Sequence, residues 1–223
     1  MTFLVVANFK SNLTKDQVET WLKSVKPQDG MVIAPSSPHL DLFTGKLENW
    51  KTGKHLCAQD VSPFPKGSYT GAVNASQLQE LGVTYCIVGH SERRRYFHET
   101  ASDVANKVKE LVSVGITPLV CMDEADVAPQ FATLEAEYLD KCIYCYEPNE
   151  GIGGTETATP EQIATVRAKI ETFVPNARFI YGGSVNPDNM GNLLKLNLTG
   201  VLVGSASLSP EKYQELVRAS HGA

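Results

Sequence analysis

Eight short apolar runs recur along the chain, and each is separated from the next by enough residues to form a helix. The runs cover residues 3–7, 31–34, 55–58, 85–88, 117–121, 142–146, 178–181 and 201–204. Their starts lie about 28 residues apart on average, close to the length of a strand–helix–strand unit. Continuous apolar runs without polar alternation are typical of strands covered on both faces. The pattern therefore favours a parallel sheet over an antiparallel one.

Helix N-terminal signals lie between these runs. Thr14 followed by Gln17 forms a capping box, in which each residue can bond the other's backbone amide. Thr159, Pro160 and Gln162 repeat the pattern, with a proline at the first helical position. Further helix starts are predicted at Asn74, Thr100 and Ser209. Strands and helices are therefore expected to alternate.

Eight alternations in 223 residues, without a linker rich in serine, proline or charge, predict one closed (β/α)8 barrel over residues 1–223, a single catalytic domain. An open doubly wound sheet is the alternative, but no G-x-G-x-x-G follows the first strand. The 20 residues between Cys121 and Cys142 leave room for only a shortened helix, expected around 131–139. Barrel enzymes carry their chemistry at the C-terminal ends of the strands.

Composition excludes several classes of partner. The chain has 20 Lys and Arg against 25 Asp and Glu, a net charge of −5, so a broad surface for nucleic acid or anionic membrane is not expected. No apolar run approaches the roughly 20 residues of a transmembrane helix. The first run follows no basic leader and precedes no small-residue cleavage site, which predicts a cytoplasmic protein.

The five cysteines all lie within or beside apolar segments, where free thiols pack as small hydrophobic groups. Cys142 and Cys145 have the spacing of a metal or redox pair. On a strand, however, residues three apart face opposite sides, so a packing role is expected for both.

Polar residues follow several of the predicted strands. Asn8 and Lys10 follow the first strand, His90 and Glu92 the fourth, and Glu147 the sixth. Ser91 also follows the fourth strand, and the other strand ends carry Gln59, Asp60, Gly182, Gly183, Ser184, Gly204 and Ser205. Each alone is more often a solvated loop residue. An amine, an imidazole and a carboxylate at one rim are chemically complementary, however, and predict a catalytic site.

Glycine pairs in the last three loops are a second indication of function. They are Gly153 and Gly154 in the sixth loop, Gly182 and Gly183 in the seventh, and Gly204 with Ser205 in the eighth. Such loops let backbone amides approach an anion closely, at the place where barrels commonly bind phosphate. Each pair alone fits a tight turn equally well. Together with Lys10 they favour a small phosphorylated substrate.

Five segments resemble the signatures of the triosephosphate isomerase family, in its order and over nearly the full length. They are ANFKSN (7–12), VGHSERR (88–94), YEP followed by IGG (146–154), YGGSV (181–185) and GVLVGSAS (200–207). The resemblance implies a TIM barrel that reversibly interconverts dihydroxyacetone phosphate and D-glyceraldehyde 3-phosphate through an enediolate. It also implies a place in glycolysis and gluconeogenesis, and no cofactor or metal.

The same resemblance implies a role for individual residues. Glu147 matches the base, His90 the group that polarises the carbonyl, and Lys10 the ammonium that holds the anion. Asn8 matches a donor to the developing oxyanion, and Glu92 a supporting carboxylate. Phosphate-binding positions of the family match Gly153, Ser184, Gly204 and Ser205.

The resemblance further implies a homo-oligomer, a dimer or a tetramer built from dimers. The weakly charged segment 60–73 matches a loop that enters the neighbouring subunit, and Thr70 matches the residue that reaches the partner's active site. Ala72 replaces a carboxylate often found there. Other departures from the common pattern are Asp123, Glu150, Gly154, Thr155, Glu156 and Ser205.

Two other functions remain open from the sequence. A barrel that binds phosphate without catalysis would bind a phosphorylated ligand and not turn it over. A Schiff-base aldolase would use Lys10 as its nucleophile, since barrels also host that chemistry.

Overall fold

The computed structural model describes residues 2–43, 50, 56–148 and 157–222. Among these residues, eight parallel strands pair in the order β2-β1-β8-β7-β6-β5-β4-β3. The strands are β1 Leu4–Asn8, β2 Met31–Ala34, β3 Cys57–Ala58, β4 Tyr85–Val88, β5 Thr117–Met122, β6 Ile143–Tyr146, β7 Phe179–Tyr181 and β8 Gly200–Val203. A parallel bridge between Ile33 and Leu56 joins β2 to β3 and completes the ring. The predicted (β/α)8 barrel is confirmed, and the open sheet is excluded.

Helices follow the strands around the ring. They are α1 Lys15–Ser24, α2 Ala75–Glu80, α3 Ser91–Phe97, α4 Ala101–Ser113, α5 Val127–Phe131, α6 Pro160–Glu171, α7 Pro187–Leu193 and α8 Pro210–His221. Short 3₁₀ helices cover Ser37–Phe43, Glu124–Asp126, Ala136–Lys141 and Ser205–Leu208. All five predicted helix starts are confirmed, at Thr14, Asn74, Thr100, Thr159 and Ser209. In the described part of the chain, every helix is too short or too polar to cross a bilayer.

The connection after β5 is short, as predicted, but its helix is not where the sequence placed it. The expected position around 131–139 is wrong, because α5 ends at Phe131 and a 3₁₀ helix follows. Pro129 is tolerated only near the start of a helix, which fixes the beginning of α5 close to Val127. Phe131 then turns inward and stacks on Phe173, with ring centroids 4.5 Å apart.

The strands bury two separate apolar layers. One fills the inside of the barrel and consists of Val6, Val32, Ala34, Cys57, Ile87, Leu119, Cys121, Ile143, Cys145, Ile180 and Leu202. The other lies between strands and helices and includes Cys142. Cys142 and Cys145 thus face opposite sides of β6, and all five cysteines are buried and free, as expected.

Strand alternation also determines which residues reach the rim of the barrel. Asn8 lies two residues beyond the inward-facing Val6, and Glu147 two residues beyond the inward-facing Cys145. Since side chains on one face recur every second residue, both are the next inward positions at the C-terminal end of their strands. The barrel geometry therefore directs them into one mouth.

Two glycines provide a test of the packing. At Gly200, the first residue of β8, an added Cβ would collide with the carbonyl oxygen of Leu4 and lie 2.8 Å from the Leu4 Cβ. We expect Gly200→Ala to lower the free energy of unfolding by about 1–3 kcal/mol. Gly191 is the matched control, because it lies in α7 with nothing within 4 Å of an added Cβ.

Gly191→Ala should raise the free energy of unfolding by up to about 1 kcal/mol, since alanine favours helix more than glycine does. Urea unfolding of both variants at one protomer concentration measures the difference. A Gly200→Ala protein as stable as the wild type would contradict the packing at the start of β8.

Candidate active site

The structure brings the five predicted catalytic residues together at the mouth of the barrel. His90 Nε2 lies 3.0 Å from Glu147 Oε1, and both side chains are 8% exposed. Lys10 Nζ lies 2.8 Å from Glu92 Oε1, and Glu92 Oε2 lies 3.7 Å from His90 Nδ1. Asn8 Nδ2 lies 3.3 Å from His90 Nε2. These charged and polar groups form one connected cluster.

The backbone at Lys10 has an unusual conformation that neighbouring amides hold in place. Its φ angle is +49°, in the left-handed region that side chains other than glycine seldom adopt. Asn8 Oδ1 accepts a 3.0 Å hydrogen bond from the Lys10 amide. Gln59 Nε2 donates to the carbonyl oxygens of Lys10 and Ala34, at 3.0 and 2.8 Å. Gln59 was identified only as a strand-end residue, and this contact gives it a positioning role.

His90 is positioned by the start of α3. It is the residue immediately before the helix, and its carbonyl oxygen accepts from the Arg93 amide at 2.8 Å. The Glu92 amide lies 3.2 Å from His90 Nδ1 and donates to it. A ring nitrogen that accepts carries no proton, so the neutral imidazole has its proton on Nε2. That proton points to Glu147.

Burial and contact act in opposite directions on the His90–Glu147 pair. Burial lowers the pKa of His90, but the Glu147 carboxylate outweighs it and the pKa is raised. Burial raises the pKa of Glu147, but His90 and the Ser91 amide, 3.2 Å from Oε2, outweigh it and the pKa is lowered. Each residue therefore favours the charged form of the other.

The contact predicts a specific titration. We expect the pKa of Glu147 to lie below the ordinary value of 4.5. His90→Ala should raise this pKa, because it removes the imidazole that counteracts the effect of burial. Because the pKa of Glu147 is lower in the folded chain than in the unfolded chain, ionised Glu147 stabilises the fold at pH values above the unfolded-state pKa. This stabilisation is lost as the pH falls through the folded-state pKa. NMR titration with side-chain carboxyl-labelled glutamate measures it, with Glu147→Gln to assign the signal.

His221→Ala is the control, because this histidine lies at the exposed end of α8 and contacts a carbonyl oxygen instead. It should leave the Glu147 signal unchanged. A Glu147 signal that titrates identically in wild type and His90→Ala would contradict the coupling.

A cavity of about 650 Å³ opens beside this cluster. Its lining includes Lys10, His90 and Glu147 together with Ser184, Gly204 and Ser205. A second cavity of about 630 Å³ shares Asn8, Lys10 and His90 and extends toward Gln59 and Arg93. Both volumes fall in the range of small-molecule sites.

The remaining predicted site residues have different positions. Ser184, with φ +47°, and Gly204 line the first cavity, and Ser205 lies at its exposed edge. Thr70 is exposed on the loop after β3 and lines neither cavity. Gly153 lies outside the described residues, as do Glu150, Gly154, Thr155 and Glu156.

A buried ionic network next to the site was not predicted. Lys107 Nζ lies 2.6 Å from Asp60 Oδ1 and 2.8 Å from Glu99 Oε1. Arg93 contacts the other oxygens of the same two carboxylates, at 2.7 and 2.9 Å. Two positive and two negative groups thus neutralise one another, although burial still raises the pKa of Asp60. The network ties α3, which begins beside His90, to α4 and the end of β3.

An amine, an imidazole and a carboxylate at the C-terminal mouth of a (β/α)8 barrel define a barrel enzyme that moves protons on a small substrate. The sequence profile of the triosephosphate isomerase family matches residues 3–220. The chain is 36% identical to the triosephosphate isomerase of Thermus thermophilus, over 96% of this chain and 97% of that one. It therefore belongs to the triosephosphate isomerase family and is an isomerase.

Two other relatives extend the similarity across distant organisms. The triosephosphate isomerase of Aquifex aeolicus is 32% identical, with 97% of this chain and 99% of that protein covered. That of Dictyostelium discoideum is 31% identical, with 98% and 96% covered. Each alignment therefore spans nearly the whole of both chains.

Proposed function

We propose that this chain interconverts dihydroxyacetone phosphate and D-glyceraldehyde 3-phosphate, with Glu147 as base, His90 as proton donor to the carbonyl and Lys10 as the cation. The contact between His90 Nε2 and Glu147 Oε1, at 3.0 Å in a buried position, carries the proposal. It places a carboxylate and an N–H donor side by side, and enolisation needs one for the carbon-bound proton and the other for the carbonyl oxygen.

Proton abstraction requires Glu147 to leave His90. A proton next to a carbonyl is weakly acidic, so the base must be well placed and little hydrated. A substrate that enters the cavity separates the two side chains, since the same oxygen and nitrogen atoms must now contact it. The His90 Nε2 proton then faces the carbonyl oxygen, while the Glu92 amide still occupies Nδ1.

The other polar groups are proposed to stabilise the negative charge of the enediolate and the phosphate. Lys10 Nζ, held by Glu92 at 2.8 Å, supplies positive charge between the enediolate and the phosphate. Asn8 adds a donor beside His90. The phosphate is proposed to contact the loops that carry Ser184, Gly204 and Ser205, which line the same cavity. Gly153 is proposed as a further phosphate contact on the resemblance alone.

The experiment is a coupled assay of glyceraldehyde 3-phosphate isomerisation on the purified chain. Turnover is expected, and phosphate binding without turnover would favour the non-catalytic barrel instead. A Schiff base forms from a neutral amine, whereas the ion pair of Lys10 with Glu92 fits a charged ammonium. Borohydride trapping of a substrate adduct on Lys10 would therefore support the aldolase and oppose the isomerase mechanism.

We also propose a homo-oligomer with a dimer as its basic unit. Phe64 and Tyr69, on the loop after β3, stack with centroids 4.6 Å apart and are 45% and 43% exposed. Phe97 is 66% exposed beside the second cavity. Exposed aromatic rings of this kind are typical of interfaces. Sedimentation that shows only monomer at micromolar concentration would refute the proposal.

Residues 1–223 are proposed to act as one catalytic domain in the cytoplasm, without nucleic-acid or membrane partners. Five buried, free cysteines fit a reducing compartment. Cell fractionation tests the location, and recovery of the protein with membranes would oppose it.

A further inference from the structure

Two thiols lie directly beneath the proposed base, inside the barrel. Cys121 on β5 and Cys145 on β6 are paired in register and both face the interior. A sulfur of each and a carboxylate oxygen of Glu147 all lie within 4.8 Å of one another, and all three residues are buried. The proposed proton transfer uses only Glu147, so the two thiols have no part in it.

The three donor atoms match a particular class of metal ion. Around a tetrahedral Zn²⁺ with Zn–S bonds of about 2.3 Å, two sulfurs lie about 3.8 Å apart. A sulfur and an oxygen lie about 3.5 Å apart around the same ion, so the donors need to approach one another by at most about 1.3 Å, a change within reach of side-chain rotation. Two sulfurs select Zn²⁺ or Cd²⁺ over Mg²⁺ and Ca²⁺, which prefer oxygen.

We propose that Cys121, Cys145 and Glu147 form an inhibitory site for a thiol-seeking divalent cation, Zn²⁺ or Cd²⁺. On binding, each thiol releases one proton to solvent, the carboxylate binds as it is, and water from the cavity fills the fourth position. No electron is transferred. The bound ion holds the Glu147 carboxylate away from His90 and from the substrate. The metal-bound enzyme therefore lacks its proposed base.

The cavity gives such an ion a short route to the thiols. Gly182 lines the cavity, and an added Cβ there would lie 3.0 Å from Glu147 Cγ and 3.1 Å from Cys145 Sγ. Because glycine has no side chain, Glu147 and the Cys145 sulfur pack directly against the backbone of a residue that lines the cavity. Movement of Glu147 toward the substrate position would then open the space in front of Cys145.

The test is a Cd²⁺ titration of the full-length wild type, Cys145→Ala and Cys142→Ala, followed by thiolate-to-metal absorbance in the ultraviolet. Cys142 is the matched control, because its side chain packs in the outer apolar layer between strands and helices, away from Glu147. Wild type and Cys142→Ala should bind one ion per chain. Cys145→Ala should bind it at least about tenfold more weakly, with less absorbance.

Isomerase activity is measured on the same samples, each relative to its own metal-free rate. Inhibition should follow the absorbance in wild type and Cys142→Ala, and EDTA should reverse it. The inhibition rests on Glu147 as the proposed base, whereas the absorbance does not. Binding without inhibition would therefore oppose the role of Glu147 and leave the metal site standing.

Two results would overturn the metal site itself. One is a wild-type protein without thiolate absorbance at Cd²⁺ concentrations that saturate a free dithiol. The other is equal absorbance in Cys145→Ala and Cys142→Ala. Circular dichroism checks that each variant is folded, and Cys145→Ser replaces Cys145→Ala if alanine prevents folding; the wild-type titration decides in either case.

Discussion

Replacing Glu147 with alanine should lower kcat at least about a thousandfold, because a positioned base contributes at the transition state and little to binding. The carboxylate lies against His90 and the Ser91 amide, whereas the proposed phosphate contacts are three other residues of the cavity lining, Ser184, Gly204 and Ser205. The affinity for sn-glycerol 3-phosphate, which has the phosphate and no carbonyl, should therefore change little. Steady-state kinetics and calorimetric titration measure the two quantities.

Two further variants make this result specific to Glu147. Glu147→Asp keeps the charge but withdraws it by one methylene group, so its kcat should fall between those of wild type and Glu147→Ala. Glu161→Ala removes an exposed carboxylate from the first turn of α6 and should leave kcat unchanged. Unaltered turnover in Glu147→Ala would exclude Glu147 as the base.

The barrel could be predicted because its signals are local. Capping boxes at Thr14, Thr100 and Thr159 lie within four residues of chain, and each strand is a continuous apolar run. The position of α5 depends on distant contacts as well as on Pro129, which places the start of the helix near Val127. Gln130 is fully buried and accepts a 2.8 Å hydrogen bond from Arg94, which lies 36 residues away. No local pattern reveals that contact, so the helix was expected too late in the chain.

The clustering of the proposed catalytic residues could be predicted for a similar reason. Parallel strands of a barrel bring their C-terminal ends to one mouth, so Lys10, His90 and Glu147 needed only correct strand assignment. The contacts of Gln59 with Lys10 and of Lys107 with Asp60 depend on side-chain reach across neighbouring loops. A position at a strand end identifies Gln59 and Asp60 as candidate site residues. Their contact partners become evident only in the three-dimensional structure.

Strand alternation alone predicts that one of the two thiols, Cys145, lies beneath the proposed base. Cys145 precedes Glu147 by two residues, so both face the interior of the barrel. Pairing Cys121 with Cys145 requires the register of β5 against β6, which no local sequence pattern reveals.

Replacing Lys10 with alanine should raise KM and lower kcat, with a combined loss in kcat/KM of at least about a hundredfold. In the proposed mechanism the ammonium attracts the phosphate in the ground state and the enediolate in the transition state. The Lys10 side chain is 35% exposed in its pair with Glu92, so water can solvate Glu92 when the partner is removed. The variant should therefore fold, and the loss should reflect charge.

Conformation has to be separated from charge at this position. The φ angle of +49° at Lys10 has a similar cost in conformational free energy for alanine, methionine and lysine. Lys10→Met therefore keeps the backbone strain and most of the aliphatic side chain but lacks the ammonium. If charge is decisive, Lys10→Met should lose as much activity as Lys10→Ala, and Lys23→Ala, on the exposed end of α1, should lose none. Full activity in Lys10→Met, with unchanged KM, would remove the ammonium from the mechanism and leave Lys10 as a backbone element only.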